Sequence, residues 1–434
     1  MQANTIRSAL RLGVMTALSA QAAVLWAAGF ALTEQSASGL GNAFAGGSAA
    51  AEDASTIFYN PAGMTRLPGR QVVLGVHAID PSVNFTNQGS TLAPPAPPLP
   101  LTGGNGGDAG QWTYVPNLYL SWQLNESLWA GIGVNSPFGL KTDYAAGWVG
   151  RYQALDTDLK TININPSIAY KVSDTISLGL GLSAQQAQVT LTKAIDFGLL
   201  LGAPQSMDGS QELSASDWGV GFNLGALFQI SPDMRIGVAY RSRIDYTLSG
   251  TSSFSGVPGA LSGLASFQNS GASAALTVPD SASVSVFQTF GDQWEMMGDI
   301  TWTQWTLFNQ LAVNFANGAP SNVTPENWQN AWRLSLGMSY KPNQSWKVRG
   351  GVAWDQTPVP NATLRTARLP DNNRTWLSVG ASWYFAKSAS LDFGYAHLFV
   401  PSTSIDHTEP NSGTLIGSYD NSANIVSLQL VYSF

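Results

Sequence analysis

From about residue 70 to residue 434, apolar and polar residues alternate with a period of two, in stretches of roughly ten residues or more that end in turns. Neighbouring side chains leave a strand on opposite faces, so this pattern predicts strands whose two faces meet different surroundings. Short turns are expected at 124–127, 172–174, 231–233, 291–293, 342–345 and 386–390. Between them lie long connections rich in Gly, Ser, Pro and Asn, at 81–111, 136–156, 194–210, 250–272, 307–327, 357–373 and 401–421. Strict alternation of tight and long connections is what an outer-membrane barrel produces, with periplasmic turns on one rim and extracellular loops on the other. Six short turns and seven long loops predict an all-β fold, a transmembrane antiparallel β-barrel of about 14 strands. A β-propeller would repeat a blade motif, and none is visible.

The alternation also assigns faces. In the last strand Val426, Leu428, Leu430, Tyr432 and Phe434 share one side and Ser427, Gln429 and Ser433 the other. The stretch 332–340 sends Trp332, Leu334, Leu336, Met338 and Tyr340 to lipid, and its neighbour sends Trp346, Val348, Val352 and Trp354 there, with Lys347, Arg349 and Asp355 inward. Aromatic residues thus fall at strand ends, where interfacial girdles belong. Over 235–248 the same rule sends Ile236, Val238, Tyr240, Ile244, Tyr246 and Leu248 to lipid and keeps Arg235, Arg241, Arg243 and Asp245 inside. Glu295, Asp299 and Asp392 join them, because a charge on the lipid face would cost about 2–4 kcal/mol at the midplane. These charges are read as networks that brace a wide lumen.

Composition supports the membrane reading. Charged residues make up 11% of the 434, against about 25% in ordinary soluble domains, while 44 residues are Gly and 11% are aromatic. Past residue 28 no run of 18 apolar residues exists to form a membrane helix. Arg7 and Arg11 precede an Ala-rich apolar stretch ending at Ala28, so residues 1–27 are expected to be a cleaved export signal, which directs the chain to the bacterial outer membrane. A net charge of −7 speaks against a nucleic-acid partner. The absence of Cys excludes disulfides, thiolate metal sites and a Cys nucleophile. No cofactor or metal is expected. His77, His397 and His407 are the only candidate imidazole bases, and none has a convincing Ser and carboxylate context, so no enzyme is expected.

Residues 28–70 break the strand pattern. They are rich in Gly and small side chains and too few to be stable without a surrounding wall, so they are expected to form an N-terminal hatch inside the lumen. Asn60-Pro61-Ala62 reads as a helical start, with Asn as cap and Pro at the first position. Two connections are unusually apolar. The third holds Ile195, Phe197, Leu199, Leu200 and Leu201, the fourth Phe254, Val257, Leu261, Leu264 and Phe267. They form either a surface for a greasy molecule or the packing of one loop on another. The first connection carries Pro94-Pro95-Ala96-Pro97-Pro98, a stiff spacer.

Gly29-Phe30-Ala31-Leu32, Gly39-Leu40-Gly41, Asn60-Pro61-Ala62, Ile79-Asp80-Pro81, Val115-Pro116-Asn117 and Gly139-Leu140 resemble the FadL family of outer-membrane long-chain fatty acid transporters. The likeness runs from about residue 28 through the first five strands and returns at the terminal strand. It implies a fourteen-strand barrel with a hatch, a loop groove on Phe197, Leu199, Leu200, Phe254 and Leu261, and a deeper site beside Phe30. It further implies lateral exit at a kink in the third strand, carried onto Gly139, a residue type that tolerates unusual backbone angles. Asn60, Pro61 and Ala62 belong to the implied gate. Lys193 falls where the family places an Arg for the ligand carboxylate, and offers a point charge instead of a fork. Aromatic-hydrocarbon transporters share this fold and need no such cation, so the substrate class stays open between them. The expected activity is uptake of a hydrophobic small molecule, a fatty acid first and a hydrocarbon as the alternative, by passive diffusion with lateral release. A water-filled porin or surface receptor is the other alternative. Expected partners are that ligand, outer-membrane lipids with lipopolysaccharide, and the barrel-assembly machinery, for a chain that works as a monomer.

Overall fold

In the computed structural model, which describes residues 29–92 and 98–434, the alternating stretches close on themselves as a barrel of 14 antiparallel strands. In chain order these are β1 (Arg70–Asn87), β2 (Thr113–Gln123), β3 (Leu128–Asn135, resumed at Gly139–Asp143), β4 (Asp156–Lys171), β5 (Ile176–Asp196) and β6 (Asp208–Ser231). Then come β7 (Met234–Arg241, Ile244–Ser255), β8 (Ser270–Val278, Ser281–Phe290), β9 (Trp294–Thr303, Gln310–Phe315) and β10 (Asn322–Pro325, Ala331–Asn343). The last four are β11 (Trp346–Asp355), β12 (Arg374–Ala386), β13 (Ala389–Glu409) and β14 (Gly413–Ser433). Closure is a full ladder between β1 and β14, from Gln71 opposite Ser433 to Asn87 opposite Gly417. A closed ladder leaves no sheet edge, which a lipid environment demands. The expected leader and most of the proline spacer lie outside the described residues.

Faces follow the alternation over most of the wall. Val426, Leu428, Leu430, Tyr432 and Phe434 are exposed, while Ser427 and Gln429 are buried inside. Lys347, Arg349, Asp355, Glu295, Asp299 and Asp392 all point into the lumen and are buried. Two expectations are corrected. The connection at 401–421 is not a long loop: β13 and β14 continue as a ladder to Glu409 opposite Gly413, with Ile405, Leu415 and Tyr419 buried inside. Its Ser, Thr and Asn content concealed strands that rise above the membrane, where both polar and apolar faces are tolerated. The second correction is in β7. Ile244, Tyr246 and Leu248 face the lumen at 3–4% exposure, whereas Arg243 and Asp245 pair outside at 3.7 Å.

The cause is an offset of one residue. Asn223 faces Arg241 across β6 and β7, but Ser210 faces Ser255, so the register sum rises from 464 to 465 across the break at 242–243. One extra residue turns every later side chain to the other face. Between the two registers, residues 217–222 of β6 have no ladder partner on β7. Side chains fill the breach: the Phe222 amide donates to Ser242 Oγ at 2.9 Å and the Thr247 amide to Asp217 Oδ2 at 2.7 Å. Gly219 makes room there, since a Cβ on it would lie 2.3 Å from Ile244 Cγ2.

Residues 29–69 fill the lower lumen as short helices, Ala37–Gly41, Gly47–Ala50 and Thr56–Tyr59, followed by a 3-10 turn, Pro61–Arg66. Asn60 caps that turn through its side chain, which accepts from the Ala62 amide at 3.0 Å, as the sequence predicts. Its amide nitrogen also donates to the wall at Ala226 O, 3.0 Å away. Gly225 admits this contact, because a Cβ there would sit 1.9 Å from Asn60 Oδ1. Arginines of the wall hold hatch carbonyls: Arg241 donates to Phe58 O at 2.8 Å and Arg333 to Ala43 O at 2.7 Å. Glu52 of the hatch is clamped by Lys347 at 2.6 Å and Arg349 at 2.7 Å. Buried charges so fixed are costly to separate, since breaking one such pair costs about 3–5 kcal/mol.

Candidate functional site

Above the hatch, Phe30 enters an aromatic cage. Trp305 stands 4.7 Å from its ring centroid, Trp328 5.7 Å, Phe308 5.9 Å and Phe138 6.0 Å. Trp305 comes from the insertion between the halves of β9 and Trp328 from that between the halves of β10, so both loops turn inward. Phe30, Phe308 and Trp328 form one end of an apolar cavity whose wall is Leu140, Leu159, Val189, Leu213, Leu248, Leu276 and Leu311. Leu248 reaches it only because β7 changes face. Such a space, apolar with few polar groups, suits a small hydrophobic ligand.

Its polar groups include Glu326 and Arg368. Arg368 donates to Thr157 Oγ1 at 3.1 Å and to the carbonyls of Asp156, Gln153 and Thr192 at 3.1–3.3 Å. Among the described residues no carboxylate lies within ion-pair distance of its guanidinium. Burial pushes the Glu326 carboxyl up to about 8, although its Oε2 accepts from the Trp328 indole at 2.9 Å. Near neutrality burial thus favours the neutral form of Glu326, and Arg368 feels Glu409 and Asp156 only from beyond ion-pair distance.

The wall beside the cavity is incomplete. Pairing between β2 and β3 runs only from Gln123 opposite Trp129 to Leu118 opposite Val134. Residues 113–117 of β2 then lack a partner on that side, where Pro116 has no amide to offer. On β3 the strand breaks over 136–138, and its backbone turns to the hatch: the Leu32 amide donates to Pro137 O at 2.8 Å and the Gly139 amide to Phe30 O at 2.9 Å. Gln35 Nε2 adds a bond to Ser136 O at 2.8 Å. Gly139 is not among the positive-φ glycines, so its part is close approach, not unusual backbone angles. A Cβ there would meet Leu32 Cδ1 at 2.9 Å. A second cavity follows the breach outward, lined by Gly29, Leu32, Gly139, Leu140, Leu159 and Leu369 within and by Trp112, Tyr114, Lys141 and Lys160 without.

The other predicted residues fall elsewhere. Lys193, on β5, lies 3.9 Å from Glu409 and donates to Ser412 Oγ at 3.4 Å, outside the cavity lining. Phe197 is wholly buried and meets Phe267 edge-on at 5.2 Å; Phe254 meets the same ring at 6.0 Å. Leu261 is buried also, Leu199 half-buried and Leu200 exposed. Phe197 thus packs on the Phe267 ring of the next loop, beside Phe254. Sequence reasoning missed Trp305, Trp328, Glu326 and Arg368. Glu326 and Arg368 fall within the expected connections 307–327 and 357–373, and Trp305 and Trp328 flank the first of these, with no pattern that marks them.

The family model described as outer membrane protein transport protein (OMPP1/FadL/TodX) matches residues 17–434. The chain belongs to the FadL family. A long-chain fatty acid transport protein of Escherichia coli O6:H1 is 30% identical, over 90% of each chain. The crystal structure of a Pseudomonas aeruginosa FadL homologue superposes with a TM-score of 0.85 at 26% identity, covering 94% of this chain and all of that one. The fold is shared with the toluene transporter TodX of P. putida, at a TM-score of 0.71 and 14% identity, over 95% of this chain and 99% of that one. The FadL-family chain is an outer-membrane transporter of hydrophobic compounds, and the family is one of transporters and not of enzymes.

Proposed function

We propose that this transporter takes up long-chain fatty acids by passive diffusion and releases them sideways into the bilayer. The observation that carries the reading is the apolar cavity beside Phe30 with the Arg368 guanidinium, which has no ion-pair partner among the described residues, in its lining. An acyl chain gains about 25 cal/mol per Å2 of apolar surface removed from water, and the leucine-lined wall supplies that burial. A carboxylate offers the Nε–H of Arg368, whose Nη1 and Nη2 already donate to the protein, a charge-assisted partner, which a neutral hydrocarbon does not. The E. coli relative, named for long-chain fatty acids, supports the same substrate.

Exit follows from the breach between β2 and β3. Phe30 and Leu32 take up the hydrogen bonds of the interrupted strand, so displacing the hatch N-terminus both uncovers the cavity and frees the kink. No energy source is required, because removal of the acid downstream maintains the gradient.

The test is uptake of labelled oleate and of toluene by cells lacking their own transporters. The wild-type gene is expected to restore oleate uptake, and Arg368→Gln to weaken oleate binding to the purified protein about tenfold, or about 1.4 kcal/mol, while sparing toluene. Restored toluene uptake without oleate uptake would move the substrate to aromatic hydrocarbons. Failure of both would end the transport reading for these ligands.

A further inference from the structure

Lysine is expensive on the lipid face of a barrel, yet two stand at the outer edge of the wall breach. Lys141 of β3 and Lys160 of β4 both point outward, with side chains 39% and 61% exposed. In the ladder Lys160 lies opposite Gly139, so no side chain covers it, and Lys141 lies opposite Asp158. Both lysines share that single carboxylate, at 4.0 Å from Lys141 and 3.5 Å from Lys160. Among the described residues no second carboxylate comes within 4.0 Å of either lysine.

Asp143 and Asp156, facing each other one step nearer the loops, complete the row. The outer face therefore runs from negative at the loop end to positive at Lys160, and below Lys160 it becomes apolar at Ile162 and Ile164. Across the breach Trp112 and Tyr114 stack at 6.5 Å, and both are more than half exposed. An amphiphile leaving here meets a cation for its head, aromatic rings for the first part of its chain, and isoleucines below. Leu140, Leu159 and Leu369 line both the inner cavity and this one and so stand between the two spaces.

We infer that the outer lip of the breach is a second ligand subsite, in which Lys160, aided by Lys141, receives the carboxylate of a departing fatty acid. The inference rests on the fatty-acid reading of the inner cavity. Asp143 and Asp156 repel the carboxylate from the loop end, which orients the acid with its chain toward the membrane interior. Leu140, Leu159 and Leu369 form the partition crossed on the way.

The test compares Lys160→Gln, Lys141→Gln with Lys160→Gln, and Lys160→Arg in the full chain, expressed in cells without their own transporter. Initial uptake rates are measured for labelled oleate and for its uncharged methyl ester, together with oleate binding to the purified protein. The double variant should slow oleate about two- to fivefold, the range of an exposed charge pair, and leave the ester rate and the oleate affinity unchanged. Lys160→Arg should keep the wild-type rate. An equal loss for oleate and ester, or no loss for either, would overturn the inference. So would release of bound lipopolysaccharide from the double variant at an unchanged oleate rate, which would assign the lysines to a resident lipid phosphate. A wild-type chain that binds no oleate would instead sink the fatty-acid reading on which the subsite depends.

Discussion

Between β6 and β7 the ladder lapses over residues 217–222, and between β2 and β3 it lapses over residues 113–117, yet different things fill the two breaches. The first is sealed from within its own wall. Ile244 and Tyr246 lie against Gly219, and Gln185 donates to the Tyr246 hydroxyl at 2.8 Å, so the filling is as fixed as the strands that carry it. The second is closed by a segment of the hatch, through hydrogen bonds from residues 30–35 that belong to no strand. A gap plugged by the wall is a structural bulge. A gap plugged by a separable segment can open when that segment moves.

The sharpest way to break this contrast is a covalent staple. Ala31 and Phe138 face each other in an antiparallel bridge, with a Cα separation of about 4.5–5.5 Å expected of such pairs, within reach of a disulfide. Since the chain contains no Cys, the pair A31C/F138C forms the sole disulfide. Oxidised cells should lose oleate uptake almost completely and regain it on reduction; undiminished uptake in the oxidised state would show that the breach need not open. A smaller effect is expected of Gly139→Leu, whose Cβ would strike Leu32. Uptake should fall about tenfold, equivalent to about 1.4 kcal/mol on the transport barrier.

At the sealed breach the roles of stability and transport reverse. Ile244→Ala should cost about 2–5 kcal/mol of barrel stability, read from the denaturant midpoint of the refolded protein, yet change uptake less than about twofold. A large transport defect with normal stability would mean that this seam also conducts. The smallest expected effect lies in the cavity between the two breaches. As pH rises through about 8, Glu326 ionises and opposes the ligand carboxylate, so oleate affinity should fall about threefold between pH 6.5 and 9, and Glu326→Gln should flatten the profile. Folding responds with the same sign: a carboxyl whose folded pKa is raised stabilises fully below its unfolded value near 4.5 and loses that contribution progressively as pH rises from there through about 8.

Most of the wall was legible because a barrel strand must alternate, and a period of two survives in a bare sequence. Val426 to Phe434 and the stretch from Trp332 to Tyr340 show it plainly. Legibility failed where one residue changed the register. Nothing in Ser242-Arg243 announces a bulge, and without it Ile244, Tyr246 and Leu248 read as lipid-facing. The site was less legible still. The resemblance pointed to Phe30 and Gly139 through short motifs and to Lys193 for the cation, which the fold sets 3.9 Å from Glu409 and away from the cavity lining. Arg368, Glu326 and Trp328 lie in connections whose composition gives no sign that they fold inward.

The sequence by itself determined a closed fourteen-strand wall, a helical turn capped at Asn60 and an address in the outer membrane, because alternation, capping and the exclusion of charge from lipid are local or one-dimensional constraints. Only the tertiary structure decided which breach in the wall is sealed, which guanidinium the cavity presents, and how the hatch holds the kink. Those depend on which backbone groups find partners across the lumen, between residues more than a hundred positions apart, such as Leu32 and Pro137 or Arg368 and Thr157. No periodicity encodes such distant pairings.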